Sequence, residues 1–254
     1  MAKPFLRTSD LARAVGVHPN TVRRYVEWGL LPPVERTPTG YRRFTQHHLD
    51  CLRLARLIYT AAYPGRGLRQ SGLKVIQVAV TGDMPGALEQ ALDHLALVQA
   101  ERRQADTAAT LLERWVEGMA AEPAGPTLRI GEAARLLDAT TYMLRNWERN
   151  GLIAIPRDPQ NGYRLYGPKE ISRLRVIRML GKAGYSHMAM LRMFLELDRG
   201  ETRDLRRALD TPRPDEDIFS AADRWLSTLA EQEERARQAV ALVEEILARP
   251  SGNP

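Results

Sequence analysis

The sequence predicts a mainly α chain in which two winged helix-turn-helix domains are each followed by a long coiled-coil-type helix. Three observations predict it. The chain repeats itself: at an offset of 122 residues, Leu6–Leu57 lines up with Leu128–Met179 without a gap, and thirteen of those 52 positions are identical. A repeat that long makes each copy a small domain rather than one turn of a solenoid. Each copy also carries a glycine-aromatic signature, GYRRF at 40–44 and GYRLY at 162–166. Finally, each copy ends in a long stretch whose apolar residues recur every three or four positions, the spacing of a helix with one buried face.

In the first copy, Leu11, Ala12, Val15 and Val17 mark a short helix with Thr8 or Ser9 as its cap, and Gly16 permits the turn after it. A second helix starts at His18-Pro19, with proline at the first helical position, and stops at Gly29. The second copy uses Thr140 as the cap and stops at Gly151. Two short helices joined by three or four residues form a helix-turn-helix. A Pro/Thr/Gly loop between two short apolar or aromatic pieces, LLPPVERTPTGYRRF, then reads as a hairpin, the wing. HHLDCLRLARLIYTAAY and KEISRLRVIRMLGKAGY are amphipathic helices that close each core. Farther on, GLKVIQVAVTG matches MLRMFLELDRG at an offset of 118, so the first copy holds four extra residues near GRGLRQSG.

The long helices are expected at about Pro85–Ala120 and Ile218–Ala248, each spanning about 45–50 Å. The first carries Leu88, Leu92, Leu95, Ala105, Ala109, Leu112, Val116 and Met119, interrupted by Gln99 and Arg102. The second carries Trp225 or Leu226, Leu229, Ala236, Val240, Val243 and Leu247. Such narrow stripes need a partner helix. The expected organisation is therefore residues 1–82 and 128–200 as the two winged helix-turn-helix domains, 83–120 and 218–249 as the pairing helices, 121–127 (AEPAGPT) as linker, 201–217 as connection and 250–254 as tail.

Charge follows the same division. Residues 1–82 hold thirteen Lys/Arg against four Asp/Glu, and 125–200 thirteen against seven. Residues 83–124 hold three against eight, and 201–254 eight against twelve. Basic blocks suit a polyanion, and acidic blocks suit segments kept away from it. Apolar runs are too short for a membrane span, and the N-terminus lacks the apolar stretch of a secretory signal. Cys51 is the only cysteine, so neither an internal disulfide nor a thiolate cluster can be built within one chain. A cytoplasmic, nucleoid-associated protein without cofactor or metal is expected. No nucleophile–base pair, phosphate-cradling glycine loop or metal-ligand spacing marks an enzyme.

Gly-Leu-Leu after a helix bearing Thr-Val-Arg-Arg-Tyr, followed by Thr-Gly-Tyr-Arg-Arg-Phe, resembles the MerR family of bacterial transcription regulators. Leu-Arg-Asn-Trp-Glu-Arg-Asn-Gly-Leu-Ile and Asn-Gly-Tyr-Arg-Leu-Tyr resemble it again, and the likeness covers residues 6–82 and 128–200. The resemblance implies a regulator of promoter double-stranded DNA that bends and untwists an overlong spacer for RNA polymerase. It also implies long helices that pair antiparallel. Members usually carry one head per chain, and this sequence carries two. It lacks the cysteines that metal- and redox-sensing members place around the end of the long helix, and the C-terminal ligand domain of small-molecule-sensing members is not expected, so no effector is inherited from the resemblance.

The first recognition helix offers Asn20, Thr21, Arg23, Arg24 and Tyr25, and the second Thr141, Tyr142, Arg145, Asn146 and Trp147. Asn and Arg can bind adenine and guanine edges bidentately, while Thr and Tyr more often hold phosphates. Arg23 and Arg145 stand out because the resemblance implies a DNA-contacting arginine at their position. Tyr25 and Trp147 serve either DNA or the core, since an aromatic at the end of a short helix does both. In the wings, Tyr41, Arg42, Arg43, Tyr163 and Arg164 reach the sugar-phosphate backbone, while Phe44 and Tyr166 belong to the core. Arg66 and Arg69 touch flanking phosphate or are merely exposed. His47, His48, Asp50 and Cys51 cluster, but adjacent histidines on a helix point apart, and Cys51 reads as a small buried apolar residue.

One chain with two unlike heads is expected to form a pseudo-dimer within itself; the alternative is a homodimer. The rival functions are an architectural or excisionase-like DNA-bending protein and a sensor whose ligand sits between long helices and heads.

Overall fold

Local signals start and stop the helices of both copies. The structure, a computed structural model, describes residues 5–59, 66–118, 125–212 and 221–249. The ends of the first closing helix and first long helix, residues 121–124 of the linker, 213–220 and the tail lie outside the described residues. In the first copy, helices α1 (Thr8–Ala14) and α2 (Pro19–Glu27) precede strands β1 (Glu35–Arg36) and β2 (Arg42–Arg43), followed by α3 (Gln46–Tyr59), α4 (Arg66–Val80) and the long α5 (Met84–Glu117). In the second, α6 (Ile130–Leu136), α7 (Thr141–Arg149), α8 (Pro168–Lys182), α9 (His187–Asp198) and α10 (Leu205–Asp210) lead to the long α11 (Trp225–Ala248).

The caps of the recognition helices follow the sequence. His18 Nδ1 accepts from the Asn20 N–H at 3.2 Å, with Pro19 at the first helical position. The Thr140 hydroxyl oxygen accepts from the Met143 N–H at 3.1 Å. At α1 the expectation fails: Arg7 is the cap residue, and Thr8 and Ser9 already lie in the first turn. The Asp10 carboxylate supplies the capping acceptor instead, taking the Arg7 N–H at 2.9 Å, and Glu132 does the same for Arg129 at 2.7 Å.

The first wing is a two-stranded antiparallel ribbon in which Glu35 faces Arg43 and Arg36 faces Arg42. In the second copy the hairpin narrows to an Arg157–Arg164 bridge. Both wings are tied to the start of their domain by a bridge, Leu6–Phe44 and Leu128–Tyr166. Gly40 and Gly162, at φ of +84° and +73°, make the turn that places Tyr41 and Tyr163 at the wing tips.

The chain divides into two compact units, and neither is one repeat: Met1–Ala100 with Leu229–Pro254, and Glu101–Thr228. In the first, α3 and α4 cover the helix-turn-helix around Leu11, Val22, Phe44, Leu52 and Ile76. The same core takes in Met84, Ala87 and Ala91 of α5 and Ala239, Val240 and Val243 of α11. The Gln99 side-chain amide donates to Glu233 at 3.2 Å. Within this unit the start of α5 therefore meets the end of α11, and the two segments run antiparallel. At the end of α11, Arg249 Nη1 donates to both carboxylate oxygens of buried Asp50 on α3, each at 2.8 Å.

In the second unit the latter part of α5 fills the corresponding place. Ala105, Ala109 and Leu112 are fully buried. The Tyr185 hydroxyl donates to the Ala105 carbonyl at 3.1 Å, and the Trp115 indole N–H to the Ser172 hydroxyl at 2.7 Å. Buried Arg192 donates to the carbonyls of Ala208, Leu209 and Asp223, which fastens α10 and a 3₁₀ turn (Ala221–Arg224) to α9.

Two expectations about the long helices change. In the first half of α5 the seam shifts from the expected stripe: Ala87, Ala91, His94 and Val98 are buried, Leu88 and Leu95 are half-buried beside them, and Leu92 is 48% exposed, whereas Ala105, Ala109 and Leu112 are buried as expected. Alanine lets the partner helix come close, so the seam follows the small residues. The second helix is shorter, 24 residues or about 36 Å, because the 3₁₀ turn precedes it and the Trp225 indole N–H donates to the Ala183 carbonyl at 2.6 Å. No helix among the described residues is long and apolar enough to cross a membrane.

Candidate nucleic-acid interface

On α2, the helical period turns Val22 and Tyr25 inward and Asn20, Arg23 and Arg24 outward, with Thr21 half-buried. Arg23 Nη1 donates to the Asn20 side-chain oxygen at 2.9 Å, so the two side chains hold each other in one orientation. On α7, Leu144 and Trp147 face inward; Thr141, Tyr142 and Arg145 face outward and Asn146 is half-buried. Tyr142 is 67% exposed. The two outer faces thus present different chemistry at matched positions: an amide and two guanidiniums in one head, a phenol, a thioether and one guanidinium in the other.

Tyr25 and Trp147 are core residues, at 3% and 5% exposure. Each lies three residues after another buried side chain, Val22 or Leu144, and so stands on the inward face of its helix. Tyr25 instead stacks on Trp28, with ring centroids 5.9 Å apart, and meets Tyr59 edge-on. Trp28, which the sequence reading passed over, is half exposed at the end of the recognition helix.

At the wing tips Tyr41 and Tyr163 are 75% and 65% exposed. Arg42 and Arg43 are half-buried, and the Arg43 guanidinium lies 3.4 Å from the Phe5 ring centroid. Arg164 is placed differently from Arg42. Its Nε donates to Glu148 Oε2 at 2.6 Å, and Arg157 approaches the other oxygen of the same carboxylate at 3.7 Å. The matching position in the first head is Val26. The second head therefore carries a counter-ion for two wing arginines at a position where the first has an apolar residue. Asp158 organises the second wing: its carboxylate is held below the usual range, first by the Gln160 N–H and then by Asn161 and Arg129. Arg129 also lies over the Tyr163 ring, 5.4 Å from its centroid.

Phe44 and Tyr166 are both fully buried. Burial pushes the Tyr166 phenol above its ordinary range, and among the described residues its hydroxyl has no hydrogen-bond partner.

His48 and Cys51 of the His47–Cys51 cluster are held within the core of the first head. The Thr45 N–H donates to His48 Nδ1 at 3.1 Å, leaving Nε2 for the Pro33 carbonyl at 3.3 Å. Burial lowers the His48 pKa and pushes the Cys51 thiol up to about 12. No group of three or more potential metal ligands occurs among the described residues.

A family model described as "MerR HTH family regulatory protein" matches this chain twice, over residues 6–58 and 128–196. Among curated proteins, the HTH-type transcriptional regulator CueR of Escherichia coli is 39% identical over 67 residues, 26% of this chain and 47% of that protein. The mercuric resistance operon regulatory protein of Bacillus cereus is 31% identical over 75 residues, 30% of this chain and 57% of that one. A probable heavy metal-dependent transcriptional regulator of Haemophilus influenzae is 37% identical over 59 residues, 23% and 46% of the two chains. The chain thus spans about half the length of the curated relatives it matches. No solved structure matches it.

Proposed function

We propose that this chain, which belongs to the MerR family and carries two of its helix-turn-helix units in tandem, is a transcriptional regulator that reads double-stranded promoter DNA through two unlike heads. The observation that carries the reading is one arrangement of arginine and wing tyrosine that occurs twice. Each head sets an exposed arginine of a recognition helix, Arg23 or Arg145, in a domain whose wing tip is an exposed tyrosine, Tyr41 or Tyr163. Arginine and asparagine on such a helix read guanine and adenine edges; wing residues hold the backbone beside the groove. We take residues 1–82 and 128–200 as the two heads.

The pseudo-dimer reading is supported by where the long helices go. The head of the first repeat shares a core with α11 from the second, and α5 from the first repeat is buried in the unit that holds the second head. One chain then supplies to itself the helix that two subunits would exchange. A symmetric dimer reads a palindrome. Asn20-Thr21-Val22-Arg23-Arg24 against Tyr142-Met143-Leu144-Arg145-Asn146 favours an asymmetric site with two different halves. Distorting the DNA between them costs on the order of 1–6 kcal/mol, which phosphate contacts from both heads would offset. RNA polymerase is the further partner of this reading, and the nucleoid its location.

The test is selection of bound duplexes from a random DNA pool at physiological salt, with footprinting and a hydrodynamic mass. Two different half-sites at fixed spacing, bound by a monomer, are expected. Arg23→Ala and Arg145→Ala should each relax one half-site, at a cost of about 1–3 kcal/mol. A palindrome bound by a four-headed dimer would refute the pseudo-dimer; an unselected pool would refute the sequence-specific regulator.

A further inference from the structure

Each unit has a groove at the same place in the repeat, where the first helix and the closing helix of a head face a long helix. In the first unit it is lined by Ala14, Val15, Arg53, Arg56 and Leu57 of the head. In the second the matching residues are Leu136, Leu137, Arg175, Arg178 and Met179. The head sides are alike, down to the two arginines. The long-helix sides are opposite. In the first unit, α11 brings Glu231, Glu234 and Glu245 with Arg235, so three cations meet three carboxylates. In the second, α5 brings Arg103, Gln104, Thr107, Ala108 and Leu111, and Lys182 closes the rim. There four cations share one carboxylate, Asp138, which is engaged by Arg178.

That leaves Arg103, Arg175 and Lys182 exposed and without an ion pair among the described residues. They surround an apolar floor. Leu111 and Leu136 are 43% and 53% exposed, and Leu137, Ala108 and Ala183 lie beneath them. The groove has a volume of about 670 Å³, within the range of sites that hold a small organic molecule. Uncompensated cations around exposed leucines match a molecule with an acidic group and an apolar body. A bare phosphate would leave the leucines uncovered, and a neutral apolar ligand would leave the cations unpaired.

We propose that this groove of the second unit binds a small organic acid, a carboxylate or sulfonate carried on an aromatic or aliphatic body. The charge-balanced groove of the first unit does not. The site is independent of the DNA-reading faces, so its test does not depend on the function proposed above.

The experiment titrates anilinonaphthalenesulfonate into the full chain and follows its fluorescence, with octanoate, octylamine and inorganic phosphate as competitors. One saturable site is expected, displaced by octanoate but not by octylamine or phosphate. Arg175→Glu and Leu136→Ser should each weaken binding at least tenfold, while Arg53→Glu in the first unit should leave it unchanged. Arg103→Glu, on the other wall, is the second reading should Arg175→Glu unfold the unit, as judged by circular dichroism. Non-saturating fluorescence, indifference to Arg175→Glu or Arg103→Glu in a folded protein, or displacement by phosphate as effective as by octanoate would overturn the proposal. A loss of DNA affinity in Arg175→Glu with probe binding intact would likewise overturn it and identify the cations as a phosphate-backbone contact.

Discussion

Replacing Glu148 by valine, the residue the first head has at that position, should make the second head bind DNA more tightly and with a steeper salt dependence. Glu148 holds the Arg164 guanidinium at 2.6 Å and draws Arg157 to 3.7 Å, and all three side chains are partly open to solvent. A partly exposed pair of this kind stabilises the fold by about 0.5–1 kcal/mol, so the domain should remain folded. A guanidinium released to a phosphate gains a charge-assisted hydrogen bond worth about 1.5 kcal/mol, roughly tenfold in affinity at low salt. Each added phosphate contact steepens the slope of log K against log salt by about 0.9. One freed arginine therefore makes the loss of affinity between about 50 and about 200 mM salt roughly 3.5-fold larger, and two freed arginines roughly twelvefold.

The assay is fluorescence anisotropy of a labelled duplex across that salt range, comparing wild type, Glu148→Val and Glu148→Gln. Gln keeps the volume and removes the charge, so both variants should steepen the slope. An unchanged slope in both would refute the reasoning, since the arginines would then not be held back by the carboxylate. A loss of affinity confined to particular sequences would refute it differently, by showing that Glu148 itself reads a base, as a carboxylate can at the cytosine amino group.

Tyr166→Phe should leave the fold as stable as before or raise it by about 1–2 kcal/mol, because the buried hydroxyl lacks a partner among the described residues and Phe44 fills the same place in the first head; thermal unfolding checks it, and a clear loss would reveal a partner for the hydroxyl. Arg249→Met should destabilise the first unit by about 2–3 kcal/mol, less than a fully buried pair because Arg249 is a third exposed. Adding Asp50→Asn should recover part of that, and a double-mutant cycle by hydrogen exchange on α3 and α11 reads the coupling; additive losses would mean the pair contributes nothing. Burial lowers His94 from 6.5 to about 4, so the fold keeps it neutral while the unfolded chain protonates. Its contribution is complete above pH 6.5 and is lost as the pH falls toward 4, by up to about 3 kcal/mol, and His94→Gln should flatten urea midpoints measured across that window.

What was legible in the sequence was local. Glycines at +69° and +75°, Gly29 and Gly151, end the recognition helices, and the caps His18 and Thr140 start them, so both helix-turn-helix units could be read from spacing alone. Packing choices were not. A stripe every three or four residues says that a long helix needs a partner, but not which head it will cover, and α11 from the second repeat is buried with the first head. Nor did leucines alone identify the seam in the first half of α5, where Ala87 and Ala91 are buried and Leu92 is exposed. The aromatic ambiguity at Tyr25 and Trp147 resolves to the core, because each lies on the buried face with Val22 or Leu144. Glu148 was invisible for another reason: its partner Arg164 lies sixteen residues on, joined to it through the turn of the wing rather than along a helix.

The duplication itself separates what folding needs from what binding needs. Of the thirteen positions identical between copies, six are arginines: 7, 13, 23, 42, 53 and 56 with their counterparts. Arginine is rarely retained for a core. Arg23 and Arg42, with Arg145 and Arg164, stand on the second helix and the wing of each head, whereas Arg53 and Arg56, with Arg175 and Arg178, line the grooves. The differences then fall on what surrounds each arginine. Arg42 has no carboxylate where Arg164 has Glu148. Arg53 and Arg56 face the glutamates of α11, where Arg175 and Arg178 face the neutral and basic side of α5. Two subunits with one sequence could not differ in this way, because any change in one appears in the other. A single chain carrying both copies can tune one head's charge against DNA and one groove's charge against a ligand while the other copy keeps its balance.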